Sequence, residues 1–167
     1  KGSQLFFHAV SPPFTFFFAT SPDLKEWTHM DYDLGFSKER YMGGPWMKYV
    51  DGWYYVISVT ELPCNHYTNY IYRTKDFKDW YVGYYNPIMM PGNEDKLISP
   101  RAADLDEATI KRIQTEAFNI NNSDMDLCDY NGKTYINYTC GNQLGFYWMC
   151  EAEYDGTVAE FLKSYFE

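Results

Sequence analysis

Two stretches of the chain share one layout of apolar and polar positions and lie 80 residues apart, at 44–57 and 124–136. In each, β-forming residues flank a polar two-residue turn, which is Asp51-Gly52 in the first stretch and Asn131-Gly132 in the second. Both dipeptides are strong hairpin signals, because the two central positions of such a turn favour positive φ. The pattern therefore predicts two antiparallel hairpins, each followed by a further apolar strand at 67–73 or 146–153.

A second repeated element follows some of these strands. The segments 21–27 and 74–80 both have the form Ser/Thr-x-Asp-Leu/Phe-Lys-x-Trp, and a partial copy of the strand pattern opens at 2–7. The third unit has 158–161 at the corresponding place, so its ending is atypical. Repeated antiparallel units of about 40–50 residues are typical of β-propeller blades.

We therefore predict an all-β chain with blade units at 1–40, 41–100 and 119–167, which amounts to two and a half to three blades of an incomplete propeller. A ring of blades must close to remove its sheet edges. Because the chain starts inside its own repeat, we expect it to be part of a larger ring. Open sheet edges predict a homo-oligomer or a companion chain that supplies the other half of the propeller.

One segment, 104–117, departs from the β pattern and reads as a short inserted helix. Asp104 is the expected N-cap, with Glu107 three residues later as in a capping box. Its apolar positions form a narrow stripe, which consists of Leu105, Ile110, Ile113 and Ala117.

Composition and charge narrow the functional classes. Hydrophobic residues make up 46% of the chain and aromatic residues 20%, which is enough for an aromatic-rich β core. The net charge of −9, without a basic cluster, argues against nucleic acid as a partner. No apolar run approaches the roughly 20 residues that span a bilayer. We therefore expect no membrane and no nucleic-acid partner.

The cysteines show no zinc-type spacing, so we predict no metal ligands among them. A two-residue turn at Asn131-Gly132 would place Cys128 opposite Tyr135 and Cys140 opposite Ser123. We interpret all the cysteines as buried thiols, which favours a reducing, cytoplasmic compartment. The four cysteines are Cys64, Cys128, Cys140 and Cys150.

Strand direction predicts where chemistry would be found. In a blade the first strand begins, and the second strand ends, on the same face of the ring. In one unit that face would carry Asp124 and Asp126, near the start of the first strand, and 141–143, at the end of the second. In the other unit it would carry 42–44 and Glu61 at the corresponding places. A concavity that gathers polar groups from several blades is the usual place for a ligand.

These residues resemble a known family. An Asp-x-Asp pair at 124–126 before an Asn-Gly hairpin, a Tyr-rich second strand and the Ser-x-Asp-Leu-x-x-Trp element at 21–27 are similar to blades of five-bladed β-propeller glycoside hydrolases of the family 43 and family 117 type. The resemblance implies hydrolysis of an oligosaccharide, plant or algal in origin, by carboxylates from different blades. It implies that Asp124 is the general base or a sugar-hydroxyl acceptor. The alternative for Asp124 is a structural carboxylate that accepts backbone N–H groups. The resemblance also allows a calcium ion in the channel, whose ligands we do not place, and no other cofactor is expected.

The chain departs from this family at one important position. Gly43 stands where the family pattern often has a glutamate that acts as the general acid. Glu61, at the end of the neighbouring strand, is our candidate for the acid, because a partly buried carboxyl group there would hold its proton more tightly. Otherwise the acid lies elsewhere or is absent. The chain would then be a non-catalytic carbohydrate-binding or assembly module, or an inactive fragment of a hydrolase.

Other side chains near these strand ends could contact a sugar. Trp46 is the best candidate for stacking on a sugar ring, although it could instead belong to the core between blades. His8 and His66 could bind sugar hydroxyls, and Arg101 could clamp a carboxylate or a sugar. The predicted substrate-binding residues are His8, Arg40, Trp46, His66, Arg101, Asn122, Asp126 and Gln143.

Overall fold

The structure is a computed structural model that describes residues 16–30, 41–63, 66–102, 104–118 and 121–167. Most of its regular structure is β-strand, as the sequence predicts. Within the described ranges, no helix is both long and apolar enough to cross a membrane. The strands are β1 (Ala19–Thr20), β2 (Thr28–His29), β3 (Gly43–Val50), β4 (Trp53–Leu62), β5 (His66–Thr74), β6 (Trp80–Val82), β7 (Asn121–Tyr130), β8 (Lys133–Gly141) and β9 (Tyr147–Tyr154).

Both predicted hairpins are confirmed. Strands β3 and β4 pair up to Val50–Trp53, which encloses the Asp51-Gly52 turn, and β7 and β8 pair up to Tyr130–Lys133. All four turn residues have positive φ, from +47° at Asp51 to +84° at Gly52. These are the backbone conformations for which Asn-Gly and Asp-Gly are favoured.

The repeat also extends to an irregularity in the first strand of each hairpin. The pairing register shifts between Gly43 and Trp46 in β3, and between Ser123 and Asp126 in β7. In β-bulges the extra residue bends the strand and re-aims its side chain. As a consequence, Cys140 lies opposite Asn122 rather than the predicted Ser123. The prediction for Cys128, opposite Tyr135, is confirmed because that pair precedes the bulge on the turn side.

The second repeated element is a side-chain-capped turn. Asp23 Oδ1 accepts the backbone N–H groups of Lys25 and Glu26, and Asp76 Oδ1 accepts those of Lys78 and Asp79. The residues after the two aspartates, Leu24 and Phe77, have φ of 61° and 60°. The β1–β2 and β5–β6 hairpins that enclose these turns are antiparallel. The likeness between 21–27 and 74–80 is therefore a likeness of backbone conformation as well as of sequence.

The strands of the larger sheet follow the order β3-β4-β5-β7-β8-β9, with β6 also paired to β5. Strands β3–β6 and strands β7–β9 form two antiparallel groups. The groups are joined by a parallel contact between β5 and β7 through the pair Tyr67–Asn121. The arrangement of these groups as wedges of a ring stays a prediction.

The connection between β6 and β7, at 83–120, is the inserted segment, or insertion, and it contains the expected helix. After a short 3₁₀ helix, Asn93–Lys96, the helix α1 spans Glu107–Lys111 and continues as a π-helical turn, Arg112–Glu116. Its N-cap is Asp106, whose side chain accepts the N–H of Thr109, so the predicted N-cap Asp104 is wrong by two residues. Of the predicted apolar stripe, Ile113 and Ala117 are buried and Ile110 is half-buried, but Leu105 is exposed, so the stripe is only partly confirmed.

A second helix, α2 (Val158–Ser164), replaces the usual unit ending and was not predicted. Thr157 and Glu160 form a capping box at its N-terminus. The buried face of α2 packs into one core cluster with residues from both strand groups. This cluster includes Ile57, Ile71, Leu127, Ile136, Val158, Phe161 and Leu162. The helix α2 therefore contributes to holding the two strand groups together.

Candidate functional site

A continuous row of neighbouring residues crosses four strands at one end of the sheet. Glu61 on β4 lies opposite Tyr67 on β5, Tyr67 pairs with Asn121 on β7, and Asn121 pairs with Gly141 on β8. Adjacent strands lie about 4.8 Å apart in a sheet. The end of β4, the start of β7 and the end of β8 are therefore close neighbours, as strand direction predicts.

Asp124 lies in the bulge of β7, with an exposed side chain and a φ of +51°. Ser123 Oγ donates a hydrogen bond of 2.7 Å to Asp124 Oδ2. Gly44, which occupies the matching position in the bulge of β3, has a φ of +49°. A Cβ atom added to Gly44 would lie 2.5 Å from Asp124 Oδ1 and 3.3 Å from Val59 Cγ2. The missing side chain of Gly44 thus makes room for the Asp124 carboxylate.

A small polar pocket of about 140 Å³ surrounds this carboxylate. Ligand pockets usually measure about 300–1,000 Å³, so this pocket is smaller than a typical ligand site. Of the predicted site residues, Asp124 and Gln143 line the pocket together, and Gln143 has a φ of +56°. The residues that line it are Tyr41, Val59, Tyr67, Ser123, Asp124 and Gln143.

Two tyrosines are the main site residues that the sequence reasoning missed. Burial, followed by the nearby Asp124 and Glu61 carboxylates, raises the pKa of the Tyr41 phenol. Burial, followed by Glu61 and Tyr41, raises the pKa of Tyr67. The two rings meet edge to face with centroids 5.3 Å apart. Both phenols therefore stay protonated at neutral pH and can donate hydrogen bonds within the pocket.

Glu61 lies beside this pocket rather than in its lining. Its charge raises the pKa of both Tyr41 and Tyr67, and the charge of Asp124 also raises that of Tyr41, so both carboxylates lie near the Tyr41 phenol. The side chain of Glu61 is exposed. The expectation that Glu61 is partly buried is therefore wrong.

Three further predicted residues lie near the strand ends in different settings. Trp46 is half-buried and packs against the main core cluster. His66 Nδ1 donates a hydrogen bond of 3.1 Å to the carbonyl oxygen of Pro63, because a carbonyl can only accept. Asp126 is exposed, and its Oδ1 accepts the N–H of Leu127 at 2.9 Å.

Two predicted residues lie away from the pocket, and two lie outside the described residues. Asn122 is fully buried, and its amide donates a hydrogen bond to Asp95 Oδ2 at 3.2 Å. Arg101, in the inserted segment, forms ion pairs with Glu151 and Glu153 of β9. His8 and Arg40 lie outside the described residues.

A larger concavity lies on another part of the molecule. This insertion groove, of about 1,250 Å³, lies between the inserted segment at 94–109 and the strands β8 and β9. Asp95, Tyr138, Trp148 and Cys150 are among its lining residues. No feature of the sequence predicted it, because it depends on how the insertion folds back against β9.

The cysteines only partly match their prediction as buried thiols. Cys140 is buried and Cys150 is half-buried, whereas Cys128 is exposed, so the prediction for Cys128 is wrong. Cys64 lies outside the described residues. Cys140 Sγ lies 2.9 Å from Cys150 Sγ, beside the carboxylate of Asp95. Sequence spacing could not show this cluster, because Asp95 belongs to the distant insertion.

Neither a protein-family profile nor a curated protein matches this chain. Among solved structures, one described as "Glycoside hydrolase" matches with a TM-score of 0.54 and 13% sequence identity, covering 84% of this chain and 36% of its own. Another, described as a BT0996 RGII complex, matches with the same values. This chain thus spans about a third of the length of these structures. At 13% identity the likeness concerns the fold alone, and the chain has a glycoside hydrolase-like fold.

Proposed function

We propose that the pocket around Asp124 is part of the sugar site of a glycoside hydrolase, with Asp124 as the base-type carboxylate and Glu61 as the candidate acid. The observation that carries this proposal is the setting of Asp124. Its carboxylate is held in a bulge above the bare backbone of Gly44, in a polar pocket with a protonated phenol. The charge of a second carboxylate, that of Glu61, also raises the pKa of the Tyr41 phenol.

This arrangement suits the hydrolysis of a glycosidic bond. One carboxylic acid protonates the leaving oxygen, while a carboxylate activates water or attacks the sugar. The exposed Asp124 carboxylate would accept the proton of a water molecule or of a sugar hydroxyl. The hydroxyl groups of Tyr41 and Tyr67 and the amide of Gln143 would orient the sugar through hydrogen bonds.

We further propose that the two strand groups are blades of an incomplete five-bladed β-propeller, with units at 1–40, 41–100 and 119–167. Two observations support this reading: the matching bulges at Gly44 and Asp124, and the match to about a third of a glycoside hydrolase chain. A partner copy or companion chain would then supply the other walls of the sugar site. The small size of the pocket in the described residues is consistent with such an arrangement.

The proposal is tested by measuring turnover of a panel of aryl glycosides and oligosaccharides by the purified chain and its variants. We expect Asp124→Asn to lower kcat by about 10²- to 10⁴-fold, which is the usual contribution of general acid–base catalysis. Glu61→Gln should have a similar effect if Glu61 is the acid. The matched control is Asp155→Asn, since Asp155 is exposed and lies beyond the far end of β9. Turnover that neither site variant lowers would rule out this site.

A non-catalytic sugar-binding module is the second candidate, and one observation favours it. Gly43 offers no side chain where the resembled family often has its acid, and Glu61 is exposed. A binding module would bind sugar, as measured by isothermal titration calorimetry, without turning it over. Tyr41→Phe and Tyr67→Phe would then weaken binding, while no variant would affect a reaction.

A further inference from the structure

We propose that Asp95, Cys140 and Cys150 form a binding site for a divalent metal ion that prefers thiolate ligands, with zinc as the best match. The three residues come from the insertion, β8 and β9. This proposal does not depend on the sugar site, which lies at the ends of the strands.

The ligand atoms are already gathered at the right scale. One carboxylate oxygen of Asp95 and the two cysteine sulfurs lie within 4.8 Å of one another, and the two sulfurs are 2.9 Å apart. Zinc binds thiolate at about 2.3 Å and carboxylate oxygen at about 2.0–2.2 Å in tetrahedral sites. Two thiolates on one tetrahedral zinc ion are then about 3.8 Å apart. The two sulfurs need to separate by less than about 1 Å to receive the ion.

The strand register favours a metal over a disulfide. Cys140 lies opposite Trp148, and Cys150 lies opposite Tyr138, so the two cysteines are diagonal neighbours on one face of the sheet. Diagonal neighbours are typically about 7–8 Å apart. A disulfide usually needs Cα atoms within about 6.8 Å, so forming one would require movement of the strands. A metal ion needs only the small separation of the two sulfurs described above.

The carboxylate of Asp95 is held in place by several hydrogen-bond donors. Tyr138 Oη donates to Asp95 Oδ1 at 2.9 Å, while the backbone N–H of Gly92 and the amide of Asn122 donate to Oδ2 at 2.9 and 3.2 Å. Trp148 Nε1 donates to the backbone oxygen of Asp95 at 2.8 Å. Outer hydrogen bonds of this kind orient the ligands of metal sites and raise their affinity.

The insertion groove offers an access route and room for a fourth ligand. A water molecule from this groove, which Asp95 and Cys150 line, is the candidate. The amide nitrogen of Asn122 donates to Asp95 Oδ2 and lies 3.5 Å from Cys140 Sγ, so Asn122 contacts two of the proposed ligands rather than the ion itself. Binding converts both thiols to thiolates and releases their two protons to solvent.

The test uses the full chain, stripped with a chelator and kept fully reduced with a phosphine. Zinc affinity is measured by competition with a chromophoric chelator, and cobalt is added separately to detect thiolate-to-metal charge-transfer absorption. We expect one zinc ion per chain and a cobalt–thiolate band. Since loss of an outer hydrogen bond alone weakens metal sites by about 10- to 100-fold, Cys140→Ser and Cys150→Ser should each weaken binding by more than about 100-fold.

Two further variants show whether the loss of affinity is specific to the proposed ligands and their hydrogen bonds. Cys128→Ser, which changes an exposed cysteine of β7, should bind zinc like the unmodified chain. Tyr138→Phe keeps the ligands and the packing but removes one hydrogen bond to Asp95, so it should weaken binding by about 10- to 100-fold. The proposal is overturned if the reduced chain binds no stoichiometric zinc, if the cobalt complex lacks the thiolate band, or if Cys128→Ser loses as much affinity as the other two cysteine variants.

Discussion

Replacing Gly44 by alanine should drive a methyl group into the Asp124 carboxylate. The added Cβ would lie 2.5 Å from Asp124 Oδ1, which is inside van der Waals contact, and the φ of +49° at this position disfavours any side chain. An L-residue in the left-handed region costs about 1–2 kcal/mol. Because the Asp124 carboxylate is exposed and can move aside, the clash should add a cost at the low end of the overpacking range, about 1 kcal/mol. We therefore expect Gly44→Ala to lower the free energy of unfolding by about 2–3 kcal/mol.

Two comparisons separate the contact from the backbone strain. Gly132 has a φ of +77°, and a Cβ there would meet nothing within 4 Å, so Gly132→Ala should show the strain alone. In an Asp124→Gly background, Gly44→Ala should likewise cost only about 1–2 kcal/mol, because the carboxylate is absent. Urea unfolding of the four variants in this double-mutant cycle measures the coupling. If Gly44→Ala costs the same with and without Asp124, the two residues are not in contact and the site geometry is wrong.

Two further predictions concern the junction between the strand groups and α2. The hydrogen bond from the N–H of Val158, and then Lys48, lower the pKa of Asp129. The ionised Asp129 therefore stabilises the fold above about pH 4, which is the pKa of an unfolded aspartate, and this contribution is lost as the pH falls below that value. Asp129→Asn should therefore reduce the loss of urea resistance on acidification, whereas a loss equal to that of the unmodified chain would contradict this. Phe161→Ala, which empties a buried position of α2, should cost about 3–5 kcal/mol, whereas the exposed Phe118→Ala should stay within about 0.5 kcal/mol. Equal effects in chemical denaturation would mean that α2 does not contribute to the core.

Local signals predicted much of the fold. The Asp-Gly and Asn-Gly turns and the capped turns after Asp23 and Asp76 form within a few residues of sequence, so their composition alone is informative. The helix α2 was not predicted, although the unit ending at 158–161 was recognised as atypical and Thr157 and Glu160 form a capping box there. Comparison with the other units showed only that this ending differs, and the local capping signal was not used.

The candidate site was only partly predictable. Asp124 and Gln143 were found because strand direction places strand ends together, but Tyr41 precedes its strand and Tyr67 looked like an ordinary strand residue. The bulge at Asp124 changes which residues face each other, and alternation of side chains cannot reveal it. Contacts distant in sequence, such as Asp95 with Asn122, depend on how the insertion packs. For this reason Asn122, which was predicted to contact a sugar, lies in the interior of the protein.

The central claim is that the strand ends around Asp124 bind sugar. An experimental structure of the chain with a bound oligosaccharide tests it most directly. The account predicts a sugar hydroxyl within hydrogen-bond distance of the Asp124 carboxylate and of the hydroxyl of Tyr41, with Glu61 facing the same ligand. A sugar bound in the insertion groove, or at the opposite end of the strands beside Asn131-Gly132, would contradict it.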